Sequence, residues 1–243
     1  MKPSDQVVYG YLRPTMVHGD FQECLLDMID HDRRHAHRIQ GRLGFRSSAN
    51  LATGRNMIVR HFLERSDAGW LLMLDTDMTF APDVLEQLLA SAHPENAPIV
   101  GALCFGFDEQ GDVQPTLYGL EPDPEAPEDP GRLLVTRYHD WKPETMMPVA
   151  GTGAACILMH RSALEEILAA GYSAAYPWFQ ELEHNGKAVG EDLGFCFRAV
   201  QSGIPLYVNT AVQVGHMKER VLTAETFYLS RGLLAPTHPG AAV

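Results

Sequence analysis

Apolar positions along the chain follow two patterns that take turns. Short unbroken runs, at Val7 to Leu12, Trp70 to Leu74, Ile99 to Cys104, Cys156 to Met159 and Leu206 to Val208, have strand length and no polar interruption. Strands covered on both faces read this way, because neither set of alternate residues meets water. Between them, apolar residues recur at helical spacing: Phe21, Leu25, Met28 and Ile29; Ile58, Val59, Phe62 and Leu63; Val84, Leu85, Leu88 and Leu89; Leu164, Ile167 and Leu168; Leu193, Cys196, Phe197 and Val200. Each series puts one stripe on a helix face. Ser162 with Glu165 has capping-box spacing, and Gly171 and Gly203 stand where helices stop. A further short strand is expected about Arg42 to Arg46. Strands alternating with helices predict an α/β fold with a mostly parallel central sheet, right-handed crossovers and flanking helices. The expected domain covers residues 1–218, with a C-terminal extension over 219–243.

The regular alternation lapses twice. Gly119 to Gly131 holds five acidic residues and four prolines, a composition that predicts an exposed loop, with an edge strand returning at Leu133 to Thr136. Tyr176, Pro177, Trp178 and Phe179 form an aromatic cluster in a second loop. Such residues either stack on a sugar or base, or anchor the loop.

Composition is that of an ordinary globular chain. The formal charge of -12 opposes sequence-independent nucleic-acid binding, which Lys and Arg drive, although Arg33, Arg34, Arg38, Arg42 and Arg46 concentrate positive charge early in the chain. The four cysteines lie singly in apolar stretches without C-x-x-C spacing, and no run approaches the ~20 apolar residues of a membrane span. A soluble, cytoplasmic protein with reduced thiols is expected.

The candidate chemistry begins where the Trp70 run meets Asp75-Thr76-Asp77. Residues two apart on an extended chain face one side, so Asp75 and Asp77 converge while Thr76 faces away. Two converging carboxylates repel unless a cation lies between them, and oxygen ligands suit Mg2+ or Mn2+. A solvated turn leading into the helix after Pro82 would use the same residues. Arg55, placed at the expected start of a helix, is either a donor to a phosphate or base or a solvent-facing charge. Glu191 and Asp192 fall in the first turn of another helix, which favours ionised carboxylates. Small residues at Gly151, Thr152 and Gly153 precede a buried strand, where they allow close ligand approach or close packing. His31 and His35, four apart, invite a weaker metal reading.

Taken in order, the Asp-x-Asp triplet after an apolar strand, Gly-Thr-Gly before a strand, Gly-Glu-Asp opening a helix and Val-Gly-His near the end resemble the GT-A glycosyltransferases, in particular family 2-like members. The resemblance spans Val7 to Lys218 and implies a Rossmann-like sheet, a nucleotide-diphosphate sugar as donor and a divalent metal, Mn2+ or Mg2+. Carried over residue by residue, it implies that Asp75, Asp77 and His216 hold the metal. Tyr11, Arg13, Pro14, Thr15, Arg55 and Thr76 with the two aspartates would line the donor site. Gly151, Thr152, Gly153 and Trp178 would border the sugar and acceptor. Asp192, with Glu191 beside it, would be the base of an inverting transfer. One departure is visible: Arg38 to Asn50 contains no Asp or Glu, whereas many members read uracil with an acidic residue there, so the donor base stays open. The acceptor also stays open among a saccharide, a protein and a modified DNA base. A nucleotidyltransferase and a non-catalytic nucleotide-sugar binding module are the competing readings, and Arg13-Pro14-Thr15 makes a poor triphosphate loop for the first.

Overall fold

A computed structural model describes residues 5–47, 50–108, 110–129 and 132–218. The expected extension over 219–243, and Pro130 and Gly131 of the acidic loop, lie outside the described residues. In chain order the elements are β1 (Val7–Arg13), α1 (Gly19–His35), β2 (Ile39–Arg46), α2 (Leu51–Arg65), β3 (Trp70–Asp75), β4 (Met78–Thr79), α3 (Val84–Ser91), β5 (Ile99–Leu103), β6 (Phe105–Phe107) and β7 (Val113–Pro115). They continue with β8 (Leu117–Pro122), β9 (Leu133–Arg137), β10 (Met146–Pro148), β11 (Gly151–Thr152), β12 (Cys156–His160) and α4 (Arg161–Ala169). The last are β13 (Leu182–His184), β14 (Lys187–Val189), α5 (Glu191–Gln201), β15 (Leu206–Gln213) and β16 (Gly215–His216).

The central sheet has seven strands in the order β10-β15-β5-β12-β3-β1-β2. Parallel pairing joins β2 to β1, β1 to β3 and β5 to β15. β12 runs antiparallel between β3 and β5, and β10 runs antiparallel to β15. β1, β2, β3, β5 and β15 therefore share one direction, and the sheet is mostly parallel.

Both sheet faces are buried, which is why the strand sequences read as continuous apolar runs. Val8, Leu12, Leu71 and Met73 face one core together with Ile58 and Phe62 of α2, Leu164 and Ile167 of α4, and Phe195 of α5. Their alternates Val7, Tyr9, Tyr11, Trp70, Leu72 and Leu74 face the other, with Phe21 and Met28 of α1 and Leu85 and Leu88 of α3. Helices on both faces keep the backbone ladder dry.

Three local expectations change. α2 begins at Leu51, capped by the Asn50 side chain accepting from the Thr53 N–H at 2.9 Å, so Arg55 lies a full turn inside the helix. β12 runs directly into α4, and the His160 imidazole, not a Ser162–Glu165 box, caps that helix by accepting the Ser162 N–H. The acidic stretch is not an exposed loop throughout. Leu117–Pro122 forms β8, paired with β9 and β11. The buried Asp123 carboxylate turns the chain by accepting from Arg132 at 2.8 Å and from the Glu125 N–H at 2.9 Å. Among the described residues no helix is long and apolar enough to cross a membrane.

Candidate functional site

β3 ends at Asp75, beside Leu12 at the corresponding end of parallel β1. The chain then turns, and β4 pairs with β16 so that His216 stands opposite Met78. Met217 N–H donates to the Asp77 carbonyl at 2.8 Å, which fixes the late histidine against the triplet. His216 Nδ1 meets the Phe105 carbonyl at 2.8 Å, and His216 Nε2 meets Asp77 Oδ2 at 2.9 Å. Lys218, two residues further along the same extended segment, brings Nζ within 3.2 Å of that oxygen. Burial works to raise the Asp77 pKa, but the hydrogen bond and charge of His216 and the charge of Lys218 outweigh it and hold it at about 2. The Asp77 hydrogen bond in turn raises His216 against the opposing effect of burial.

A divalent ion suits this pair. A carbonyl can only accept, so Nδ1 carries a hydrogen; Nε2 donates to Asp77 when the ring is protonated, and a bound ion would take the place of that proton. Two acceptors at that distance need a proton or a cation between them. One carboxylate oxygen and one imidazole nitrogen are donors that Mn2+ accepts, and Asp75 adds a second carboxylate nearby in sequence. Among the described residues, no three His, Cys, Asp or Glu side chains are grouped to hold a metal ion by themselves. Any ion held by Asp77 and His216 would complete its shell with phosphate oxygens and water.

Asp75 has a different partner. Arg55 Nη2 donates to its two oxygens at 2.9 and 3.0 Å, while Arg55 Nη1 donates to Glu191 Oε1. Arg55 is 4% exposed, and its Nε is buried without a hydrogen-bond partner among the described residues. The guanidinium lies 5.8 Å from the centre of the Phe179 ring, which itself stacks on Phe195 of α5. Its neighbour Asn56 holds the aromatic loop by accepting from the Trp178 N–H at 3.1 Å and donating to the Phe179 carbonyl at 2.7 Å. Burial opposes the Arg55 charge, yet Asp75, Glu191 and Asp192 together raise its pKa above the ordinary value. Arg55 thus clamps the β3 tip to the start of α5. The expectation that it stands ready for a donor phosphate is corrected, because its charge is already committed inside the protein.

α5 starts behind Gly190, with Glu191 and Asp192 in its first turn as expected. Asp192 Oδ1 accepts from the Leu193 N–H at 2.8 Å. Burial raises the Asp192 pKa, opposed by Arg55, whereas the negative charges of Glu191 and Asp75 add to the rise. Gly153 borders the other carboxylate oxygen: a Cβ there would lie 3.7 Å from Asp192 Oδ2 and from Thr116 Oγ1. Gly151 serves packing, since a Cβ would fall 2.6 Å from the Leu193 side chain. Thr152 is buried, with its backbone N–H on Cys196 Sγ at 3.5 Å.

The remaining predicted residues divide. Arg13, Pro14 and Thr15 form an exposed rim at the end of β1, tied by Arg46 Nη2 donating to Thr15 Oγ1 at 3.3 Å. Tyr11 is buried between Tyr9 and Phe21 and packs over Gly44, so the base wall at this point is core rather than open surface. Thr76 is buried and donates to the Leu12 carbonyl at 3.4 Å, which turns it away from the carboxylates. Trp178 is 1% exposed with its indole N–H on the Leu164 carbonyl at 2.7 Å. It anchors the loop and offers no face to a sugar. His31 bonds Glu86 at 2.9 Å and stacks on His35, far along the chain from the triplet. Sequence reading missed Lys218, whose signal is its spacing of two from His216, and Arg55's carboxylate partners, for which no local signal exists.

No family model and no curated protein matches the chain. Among solved structures, A197 from STIV aligns with 88% of this chain and 86% of its own at 18% identity and a TM-score of 0.51. GalNAc-T7 with UDP, GalNAc and Mn2+ aligns with 88% of this chain at 13% identity and a TM-score of 0.58. This chain spans only 43% of that structure. Its seven-stranded, mostly parallel sheet between two helical layers therefore has the GT-A-like α/β fold of these neighbours.

Proposed function

We propose that this chain is a metal-dependent glycosyltransferase that moves a sugar from a nucleotide-diphosphate donor to an acceptor hydroxyl with inversion, within a GT-A domain covering residues 1–218. The observation that carries the reading is the pairing of His216 Nε2 and Asp77 Oδ2 at 2.9 Å, a nitrogen and a carboxylate oxygen that would hold a cation in place of the shared proton, at a sheet edge where Arg55 also ties Asp75 to the acidic pair of α5. The GalNAc-T7 structure, one of the fold neighbours, is described with UDP, GalNAc and Mn2+, which fits the same ligand chemistry.

Asp77 and His216 would hold the ion, while Asp75, two residues earlier in the chain, is engaged by Arg55. When bound, Mn2+ or Mg2+ supplies Lewis-acid stabilisation of the charge that gathers on the departing diphosphate. The rim at Arg13 and Thr15, close to the triplet at the end of β1, would receive the nucleoside. In the transfer a bond forms from the acceptor oxygen to the anomeric carbon, and the bond from that carbon to the diphosphate oxygen breaks with its electron pair. The acceptor proton passes to Asp192, whose Oδ2 borders Gly153; a base so placed contributes typically ~10²–10⁴-fold. Burial that raises the pKa makes Asp192 a stronger base than an exposed aspartate.

The test is a thermal-shift series with UDP, GDP, dTDP and ADP, each in Mn2+, Mg2+ or EDTA, since a ligand bound only to the folded chain raises apparent stability by mass action. One diphosphate should stabilise the protein in metal but not in EDTA, and Asp77→Asn should lose that shift. Unchanged metal-dependent affinity in Asp77→Asn would remove Asp77 from the metal set.

A further inference from the structure

Asp75 and Asp77 each meet a basic side chain, and the two pairings differ in kind. Arg55 donates to both Asp75 oxygens at 2.9 and 3.0 Å from a side chain that is 5% exposed. Its planar fork is locked inside the protein, so that pair stays made. Lys218 reaches one oxygen, Asp77 Oδ2, at 3.2 Å, and its side chain is 40% exposed. An ammonium on a flexible, solvated stem leaves its partner readily, because an exposed ion pair contributes little.

The oxygen that Lys218 meets is the one an ion would need. His216 Nε2 lies 2.9 Å from the same Oδ2, and an ion held by Asp77 and His216 would sit between those atoms. Asp77 Oδ1 has no bond among the described residues. Even an ion seated on Oδ1 would share the carboxylate with the ammonium, and two cations on one carboxylate repel. Beside these groups opens a cavity of about 240 Å³ whose wall includes His216, Lys218, Phe105, Phe107, Val113 and Val214. None of its lining residues is Asp or Glu. Lys218 therefore has room to move off Asp77 but no second carboxylate on that wall to move to.

We infer that Lys218 is a tethered cation that holds the Asp77 carboxylate until a divalent ion arrives and competes with the ion for it, so that the chain takes up a bare ion more weakly than Asp77 and His216 alone would. The inference rests on the metal-dependent reading above and concerns how that site is loaded. Displaced from Asp77, the ammonium is left to water or to an anion that arrives with the ion.

The experiment is a titration of the full chain with Mn2+ alone, the free ion being read by electron paramagnetic resonance, in wild type, Lys218→Met, Lys218→Arg, Arg13→Met and Asp77→Asn. Lys218→Met should bind Mn2+ about threefold more tightly or better, the size expected for releasing an exposed ion pair. Lys218→Arg keeps the charge and should stay within about twofold of wild type. Arg13 is exposed on the neighbouring rim and has no bond to Asp77 among the described residues, so Arg13→Met measures the general effect of removing one positive charge and should tighten binding less. Equal or weaker binding by Lys218→Met than by wild type, or tightening in Arg13→Met as large as in Lys218→Met, would overturn the inference. If that result comes with binding lost in Asp77→Asn, only the role of Lys218 falls and the metal site stands. If wild type and every variant leave Mn2+ free at millimolar ion, the metal-dependent reading fails and the inference fails with it.

Discussion

Arg55 is the residue on which the site geometry depends. Its guanidinium neutralises Asp75 and Glu191 at once from inside the protein, and it is the cation that opposes the rise of the Asp192 pKa. Arg55→Met should leave those carboxylates without their common partner. The expected cost is about 2–4 kcal/mol, at or below the range for breaking a buried ion pair because Asp75 is about a third exposed; urea unfolding measures it. Asp192 must be ionised to take a proton, so transfer falls as pH drops through its pKa. Removing Arg55 raises that pKa further, and the acid limb of kcat/KM should move to higher pH, with Arg55→Lys recovering part of the shift. An unmoved limb in an active Arg55→Met protein would mean that Arg55 does not govern Asp192. Asp192→Asn makes the complementary case. A folded-state pKa above the unfolded value gives a contribution that is full below the unfolded pKa and lost as pH rises through the folded one. Near pH 7 the ionised Asp192 therefore costs stability, and the Asn variant should be at least as stable as wild type there while transferring no sugar. A clear loss of Tm at pH 7 would contradict this.

At the scale of elements, α5 carries the acidic pair because its own packing leaves no freedom. Gly194, one turn into the helix, sits against the loop that Asn56 and Arg198 hold: a Cβ would lie 2.0 Å from the Gln180 carbonyl oxygen. That neighbour is backbone, and the loop around it is fixed by Arg198 donating to the Tyr176 carbonyl and, at 2.5 Å, to Gln180 Oε1. Gly194→Ala should destabilise by about 3 kcal/mol or more, as overpacking against rigid structure does. A cost under about 1 kcal/mol in chemical denaturation would show that the loop gives way. The helix and its Gly stop at 203 were legible, since apolar spacing and the φ of 74° at Gly203 follow from local chain physics. The cap of α4 and the true start of α2 were not, because they depend on where a strand ends and on which of several polar residues finds a free N–H.

Across the whole molecule, the charge of -12 and the placement of the arginine cluster belong together. Arg33 and Arg34 sit in the last turn of α1 near Asp30, and Arg38, Arg42 and Arg46 spread over the edge strand β2 and its approach. Arg46 reaches the rim of the candidate site through Thr15, whereas Arg33 and Arg34 are engaged by Asp30 on α1, so the positive charge is divided between two elements. Duplex DNA should therefore show no retardation at about 10 μM protein and physiological salt, since non-specific binding needs many released counterions. A salt-sensitive shift at that concentration would restore nucleic acid as a partner.

The sequence by itself determined the alternation of strands and helices, the two-sided burial of the sheet, and the arrival of Asp75, Asp77, Asp192 and His216 at element ends. Each of these follows from periodicity and from residues a few positions apart, so local physics suffices. Only the tertiary structure decided the antiparallel insertion of β12 between β3 and β5, the burial of Trp178, and the clamp of Arg55 on partners 20 and 136 residues away. Those outcomes depend on which distant surfaces meet, and a buried charge takes its partner from whatever carboxylate the packing brings within reach.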